Sequence, residues 1–244
     1  MRRGISQRLQ QILSPFMDVI APRICILCNE CLVRTGNHHS LFICAQCTGS
    51  LSAAPPDEEI YNELIARFPG DALALSSATA CYAASPHHSR SLMSAIHSLK
   101  YEGMEHIGFE LGELLGYHLL RVFGSVELTL VPVPVHPARR RERGYNQAEC
   151  IAQGAASVVK SRLCTQAIRR TVHKQTQTRL RGHERIRNVS TAFTPTTEAV
   201  LLHNAEVVVI DDVLTTGATL NALAHCALQC GARRVHAATV VRAR

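Results

Sequence analysis

The segment VVVIDDVLTTGATL, residues 207–220, constrains the fold of this chain more than any other. Its apolar run ends in two adjacent carboxylates, Asp211 and Asp212. Three hydroxyl residues and a glycine then lead into apolar residues at helical spacing. This pattern predicts a buried strand, a tight turn and a helix. A strand that is apolar at nearly every position is typical of a parallel sheet covered by helices on both faces, so we expect an α/β fold.

Strand and helix patterns alternate over much of the chain, as a doubly wound parallel sheet requires. The predicted strands cover 76–84, 127–137, 165–170, 205–212 and 233–242. The predicted helices cover 89–103, 106–124, a stretch that ends near Val159, and 218–232, where Gly231 stops the helix. Residues 171–190 are polar and basic with little apolar periodicity, so we expect a loop there.

The turn 215–219 has the composition of a phosphate site. Hydroxyl groups, a glycine and a helix N-terminus together supply hydrogen-bond donors and a favourable dipole for an anion. The turn lacks the lysine of a Walker loop and the three glycines of a dinucleotide-binding loop. Asp211 and Asp212 suit sugar hydroxyls or a hydrated magnesium ion, so the motif favours a ribose 5-phosphate ligand.

At DDVLTTGAT, residues 211–219, the chain resembles the type I phosphoribosyltransferases, which bind 5-phosphoribosyl-1-pyrophosphate (PRPP). Other segments resemble one branch, the ComF/GntX family, which is linked to natural competence and the use of imported DNA. These segments are LKYEG at 99–103, VPVPVHPARRRERGYNQA at 131–148, QTRLRGHERIRN at 177–188 and AF at 192–193. The resemblance covers residues 23–244 and implies the type I phosphoribosyltransferase fold, a parallel doubly wound sheet with a hood.

The resemblance also implies a role for each matching position. Asp211 and Asp212 are expected to hold the ribose hydroxyls, directly or through magnesium-bound water, and to be catalytic together with Arg185. The 5′-phosphate is expected on Thr215, Thr216, Gly217, Ala218 and Thr219. The pyrophosphate is expected to face His136, Arg139 and Arg143, in an element completed by Gly144, Asn146 and Gln147. A flexible lid is expected at 171–188, with Gln177 on PRPP and Arg185 and Asn188 on the family's pattern, and Lys100 is a further expected anion contact.

Clustered positive charge supports a polyanionic ligand independently. Residues 139–143 and 169–187 hold 11 of the 26 lysines and arginines and only two acids, so they carry +9 in a chain of net charge +7. PRPP carries about five negative charges, and guanidinium groups match phosphates through their forked geometry. The alternative is two solvated faces, although faces that serve solubility usually mix charge signs.

Four of the ten cysteines have the spacing of zinc ligands. Cys25 and Cys28 form one C-x2-C knuckle and Cys44 and Cys47 form another, with 15 residues between them. Four thiolates make a closed tetrahedral site, so we expect a structural Zn²⁺ without chemistry of its own. The competing ligands that the spacing leaves open are Cys31, His38 and His39.

The expected organisation is an amphipathic helix at 1–22, a zinc-binding module at 23–51, a linker and helix at 52–74, and a phosphoribosyltransferase-like domain at 75–244. No apolar run reaches the roughly 20 residues that a membrane span needs, and no signal peptide is indicated. We therefore expect a cytoplasmic protein, whose basic N-terminus is compatible with association at the inner face of the membrane.

The resemblance implies a Mg²⁺-dependent displacement of pyrophosphate at C1 of PRPP. The acceptor would be a base or a nucleotide from incoming DNA, and the sequence does not name it. The alternative is a non-catalytic component of DNA import that senses PRPP or binds single-stranded DNA or a helicase. The basic segments suit either polyanion, whereas an aromatic content of 5% without tryptophan argues against recognition by base stacking.

Overall fold

The computed structural model describes residues 24–32, 42–84, 92–101, 103–124, 126–171 and 192–243. The chain divides into two compact units, Met1–Leu51 and Ser52–Arg244. The predicted helix at 1–22 lies outside the described residues, as do His38 and His39. The same holds for most of the predicted lid, including Gln177, Arg185 and Asn188.

The first unit contains a small cysteine-rich module. A tight turn begins at Cys25, whose carbonyl oxygen accepts a hydrogen bond of 2.8 Å from the N–H of Asn29. Helix α1, Ala45–Ser50, begins after Cys44. Among the described residues of this unit, the buried apolar side chains are those of Cys25, Leu27 and Ile43. So little buried apolar surface holds a fold weakly, and metal binding is the usual source of the missing stability.

The second unit is built on a five-stranded sheet whose neighbouring strands all run parallel. Its strands are β1 (Ser77–Ala83), β2 (Thr129–Pro132), β3 (Arg162–Leu163), β6 (Glu206–Leu214) and β7 (Arg234–Arg242). They lie in the order β1-β7-β6-β2-β3. A separate antiparallel pair is formed by β4 (Ile168–Arg170) and β5 (Phe193–Pro195). The parallel α/β sheet predicted from the apolar strand pattern is confirmed.

The described helices of this unit alternate with its strands. They are α2 (Asp57–Arg67), α3 (Leu92–Tyr101), α4 (Glu105–Phe123), α5 (Pro137–Arg143), α6 (Gln147–Val159) and α7 (Ala218–Gln229), with short 3-10 helices at Gly70–Ala72 and Thr197–Leu202. Among these residues, no helix is both long enough and apolar enough to cross a membrane.

Side chains alternate between the two faces of the sheet and form a core on each. On one face, Val207 and Val209 of β6 belong to a buried cluster that includes Leu64 of α2 and Leu223 of α7. On the other face, α4 packs against the sheet, where the rings of Phe123 and His236 meet at 5.0 Å.

Helices α4 and α6 approach each other closely through glycines. A β-carbon at Gly112 would lie 2.0 Å from the carbonyl oxygen of Ile151, and one at Gly154 would lie 1.9 Å from that of Phe109. No side chain fits at such distances, so hydrogen at these two positions allows backbone-to-backbone packing.

Some predicted boundaries differ from the structure. The helical stretch predicted to end near Val159 is two helices, because Gly144 adopts φ 84° after α5 and Asn146 caps α6. The strand predicted at 205–212 continues to Leu214. Within the region predicted as a linker and helix, Ile60 and Leu64 of α2 are buried in the core.

Candidate functional site

Asp211 and Asp212, which we call the acidic pair, lie near the carboxyl end of β6. Ligands of parallel sheets bind at this edge. Asp211 lies in register with Thr239 of β7, so the pair is inside the second half of the strand and not after it. The N–H of Asp212 donates to Asp211 Oδ1 at 2.9 Å, and the N–H of Val213 donates to Asp212 Oδ1 at 2.9 Å. These hydrogen bonds fix the orientation of both carboxylates.

The acidic pair is electrostatically strained. Asp212 is only 4% exposed, and the ammonium of Lys100 contacts its Oδ2 as an ion pair. Burial and the neighbouring Asp212 raise the pKa of Asp211 well above its ordinary range, and Lys100 acts in the opposite direction. Two adjacent carboxylates with one ammonium therefore leave negative charge that an added cation or hydroxyl donors would stabilise.

The phosphate turn, residues 215–219, opens at the N-terminus of α7. Thr215 and Thr216 are exposed, and Gly217 adopts φ 78° immediately before the helix. The N–H of Ala218 donates to Thr216 Oγ1 at 3.4 Å. The turn thus presents hydroxyls beside the positive end of a 12-residue helix dipole.

Arg242 holds this turn from behind, a role that the sequence analysis missed. Its guanidinium donates to the carbonyl oxygens of Leu214 at 3.0 Å and Thr215 at 2.8 Å, and it forms an ion pair with Glu63. Arg67 also donates to the carbonyl of Thr215, at 3.3 Å. A charged residue directly after the apolar Val240 and Val241 was the available signal.

The segment after β2 starts beside the acidic pair. The N–H of Val133 donates to the carbonyl oxygen of Ile210 at 2.8 Å, so the end of β2 lies next to the residue before Asp211. His136 caps α5, accepting from the N–H of Ala138 at 3.2 Å. The buried Asn146 donates to the carbonyl of Val133 at 3.1 Å and thereby anchors the far end of the segment.

The arginines of this segment differ in their surroundings. Arg139 and Arg141 are exposed, and Arg140 forms an ion pair of 3.3 Å with Glu149. The guanidinium of Arg143 donates to Gln147 Oε1 at 3.1 Å. Arg143 also lies 5.0 Å from the ring centroid of Tyr101, the residue after Lys100.

Arg170, at the end of β4, is a second residue that the sequence analysis missed. Its guanidinium is half-buried and lies 5.7 Å from the ring centroid of Phe193. Burial lowers its pKa, the carboxylate of Asp211 raises it, and the charge of Arg139 lowers it. Arg170 therefore interacts electrostatically with both Asp211 of the acidic pair and Arg139 of α5. Its position at a strand end inside a basic cluster was the sequence signal.

The structure thus brings together part of the predicted set. Lys100 meets the acidic pair directly, and the phosphate turn continues from the same strand. Lys100 was predicted as an anion contact, and in the structure its ammonium contacts a carboxylate. The lid residues Gln177 and Arg185 lie outside the described part of the chain.

The four predicted zinc ligands converge in the first unit. The sulfur atoms of Cys25, Cys28, Cys44 and Cys47 all lie within 4.8 Å of one another. Cys28 Sγ and Cys44 Sγ are 3.7 Å apart. Tetrahedral zinc, with Zn–S of about 2.3 Å, requires sulfur atoms about 3.8 Å apart, so the cluster fits this ion.

The hydrogen bonds of the cysteine cluster favour a thiolate at Cys25. Burial opposes the thiolate, but N–H donors from Cys44, Leu27 and Cys28 lower the pKa of Cys25 to about 7. The N–H of Cys44 lies 3.3 Å from Cys25 Sγ. Cys31 is exposed and is not part of the four-cysteine group found among the described residues.

Comparison with known proteins gives the site a family context. Residues 150–244 match the family described as phosphoribosyl transferase domain. Competence protein F of Haemophilus influenzae is 29% identical over 114 residues, covering 47% of this chain and 50% of that protein. DNA utilization protein YhgH of Salmonella typhi is 33% identical over 144 residues, covering 57% and 62%. Competence protein ComFC of Bacillus subtilis is 29% identical over 123 residues, covering 50% and 48%.

The matched segments span between 48% and 64% of the relatives' own lengths, less than two thirds in each case. These relatives carry competence and DNA-utilization names. The domain match includes the acidic pair and the phosphate turn. The domain match at residues 150–244 and the similarity to competence and DNA-utilization proteins together support a ComF-type family with a phosphoribosyl transferase domain.

Proposed function

We propose that this chain binds PRPP at the carboxyl edge of its sheet and transfers the ribose 5-phosphate group to an acceptor. The observation that carries the proposal is the continuous arrangement of acidic pair, phosphate turn and helix N-terminus on β6 and α7. The hydroxyl groups and the phosphate of one sugar phosphate could then bind to the acidic pair and to the phosphate turn, which are only a few residues apart. The family's competence names support a role in the use of imported DNA.

The acidic pair would hold the ribose 2′- and 3′-hydroxyls, and the phosphate turn would hold the 5′-phosphate. The carboxylates also fit Mg²⁺, because it prefers oxygen ligands. Moreover, apart from its ion pair with Lys100, the buried Asp212 Oδ2 accepts no hydrogen bond from the described residues. When bound, Mg²⁺ would neutralise the pyrophosphate as it leaves.

Arg139 and Arg143 of the arginine segment, residues 139–143, would face the pyrophosphate together with Arg170. Their guanidinium groups would stabilise the charge that develops on the leaving group as the bond to C1 breaks. No side chain needs to form a covalent intermediate. The protein would instead bind both ends of PRPP and exclude water from the cationic sugar.

A thermal-shift titration with PRPP and MgCl₂ tests this proposal. At a PRPP concentration of about 100 times Kd, ligand binding stabilises a protein by about 2.7 kcal/mol, so a clear rise in Tm is expected. Asp211→Asn keeps the side-chain volume and should abolish the rise. Asp71→Asn, which changes an exposed aspartate of the same unit, should not. No rise in Tm for the unmodified chain would refute PRPP binding.

We also propose a second candidate function, direct binding of single-stranded DNA, which the exposure of Arg139, Arg140 and Arg141 along α5 favours. Phosphate contacts of this kind weaken steeply with salt. Fluorescence anisotropy with a labelled oligonucleotide should then show binding at about 50 mM salt that is lost near 200 mM. Arg141→Gln should weaken it without changing the PRPP-induced rise in Tm, and absence of binding at the lower salt excludes this function.

A further inference from the structure

Lys100 covers one side of the acidic pair through its ion pair with Asp212. Lys100 lies in the last turn of α3, with its side chain 25% exposed, whereas the side chain of Asp212 is 5% exposed. A buried carboxylate requires a counter-charge, and here the counter-charge comes from a flexible side chain at the edge of the site.

Both oxygens of Asp212 already have neighbours that stabilise negative charge. Oδ1 accepts from the N–H of Val213 at 2.9 Å, and Oδ2 meets the ammonium of Lys100. Apart from this ion pair, Oδ2 accepts no hydrogen bond from the described residues, so the ammonium supplies its counter-charge. Such a contact is exchangeable for another cation.

The backbone that carries Lys100 is fixed. Leu99 is fully buried, and its carbonyl oxygen accepts a hydrogen bond from the hydroxyl of Tyr145. Tyr101, on the other side, lies beneath the guanidinium of Arg143. Movement of the ammonium is therefore a matter of side-chain rotation and does not require α3 to shift.

We propose that Lys100 is an internal cation that takes the place of a divalent ion at Asp212 and leaves when a ligand phosphate attracts its ammonium. A divalent ion and an ammonium on the same carboxylate would repel each other strongly in a buried site. Metal and anionic ligand would consequently enter together, and the free protein would bind the metal weakly. The identity of the phosphate ligand rests on the proposed function, whereas the exclusion of the metal by Lys100 does not.

Binding of Mn²⁺ to the zinc-loaded chain, without PRPP, tests the exclusion. Mn²⁺ uses the same oxygen ligands as Mg²⁺, and its free concentration is measured by electron paramagnetic resonance. Lys100→Met should bind Mn²⁺ on the order of tenfold more tightly than the unmodified chain, because it removes a unit charge beside the site. Lys100→Arg keeps the charge and should not gain affinity.

A matched control removes the same charge elsewhere. Arg162 is exposed on β3, where it pairs with Thr129 at the start of β2, away from the carboxyl edge of the sheet. Arg162→Met should leave Mn²⁺ binding unchanged. Asp212→Asn combined with Lys100→Met should abolish the gain, which identifies Asp212 as the ligand.

A further measurement requires no variant. Ribose 5-phosphate added to the unmodified chain should raise its Mn²⁺ affinity, after correction for Mn²⁺ bound by the sugar phosphate alone. Equal affinities of Lys100→Met and the unmodified chain, together with no effect of ribose 5-phosphate, overturn the proposal even if PRPP raises Tm. A gain in Lys100→Met alongside no response to PRPP would support the internal cation and refute the proposed function.

Discussion

The guanidinium of Arg242 donates a hydrogen bond of 2.8 Å to the carbonyl oxygen of Thr215, so the end of one strand holds the first residue of the phosphate turn. Strands β6 and β7 end together, since Leu214 and Arg242 lie in register. The position of the turn is therefore set by a residue that would never touch the ligand.

Arg242→Met should destabilise the second unit and weaken PRPP binding. The change removes the ion pair with Glu63 and two hydrogen bonds to the carbonyl oxygens of Leu214 and Thr215, and breaking a buried ion pair costs up to about 3–5 kcal/mol. Urea unfolding measures this loss. Arg233→Met is the control, because the side chain of Arg233 is 59% exposed and exposed pairs contribute less than about 1 kcal/mol. Equal losses in the two variants would contradict the role of Arg242.

Gly217→Ala should reduce both Tm and PRPP affinity. Its φ of 78° costs a residue with a side chain about 1–2 kcal/mol, and the added β-carbon would lie 2.5 Å from Leu64 Cδ2. Gly70→Ala is a matched control, since Gly70 also has a positive φ of 62° but no atom within 4 Å of the new carbon. The Tm of Gly217→Ala should fall further than that of Gly70→Ala, and only Gly217→Ala should lose affinity for PRPP.

Arg170→Gln should weaken PRPP binding about tenfold, because a charged hydrogen bond to phosphate is worth about 1.5–3 kcal/mol. Arg170→Lys should recover only part of the affinity, since an ammonium lacks the forked geometry. The neighbouring Arg169 is exposed, and Arg169→Gln should bind PRPP as the unmodified chain does. Isothermal titration calorimetry compares the three variants, and equal affinities would remove Arg170 from the site.

Cys25→Ser should lower the zinc content from about one ion per chain to near zero, because a four-thiolate site loses a ligand that it cannot replace. Cys31→Ser should retain the ion, since Cys31 is exposed and outside the four-cysteine group. Elemental analysis of the purified proteins gives the ratio. Loss of zinc in both variants would make Cys31 a ligand.

Because of His236, the second unit should lose stability as the pH falls below 6.5. Burial lowers the pKa of His236 from its ordinary 6.5, although Glu206 acts in the opposite direction. The unfolded state therefore binds more protons between the folded pKa and 6.5, and stability falls as the pH falls through that window. Glu206 has a lowered pKa and contributes stability that is lost only at more acidic pH.

Urea unfolding between pH 5 and 8 measures this dependence. His236→Gln should show a smaller loss of stability on acidification than the unmodified chain, and the exposed His97 supplies the control variant His97→Gln. Burial also lowers the pKa of His118, so part of the dependence should persist in His236→Gln. An unchanged pH profile in His236→Gln would contradict the assignment.

The sequence predicted the features that depend on local pattern. The apolar run of β6, the turn at Gly217 and the two cysteine knuckles each contain their own signal within a few residues, and the corresponding elements are present. The burial of α2 was harder to predict, because its acidic first turn resembles a solvated surface and its buried Ile60 and Leu64 make a short apolar stripe.

Long-range contacts account for what the sequence did not predict. Arg242 and Arg170 come to their positions only through strand register and chain reversal, and a linear pattern contains neither. Lys100 is a further case in which the sequence indicated an interaction but not its partner. Its place in a motif indicated an interaction with charge, but only the contact of its ammonium with Asp212 shows that the charge is a carboxylate.

The glycines between α4 and α6 have an evolutionary consequence. Any substitution at Gly112 or Gly154 must place a carbon where a carbonyl oxygen already lies, so neither glycine can be replaced without cost. Helix α6 begins after Asn146, which holds the segment following β2. Substitutions at these two glycines would therefore shift α6 and with it the arginine segment. The solvent-facing side of α4 is free to diverge between lineages.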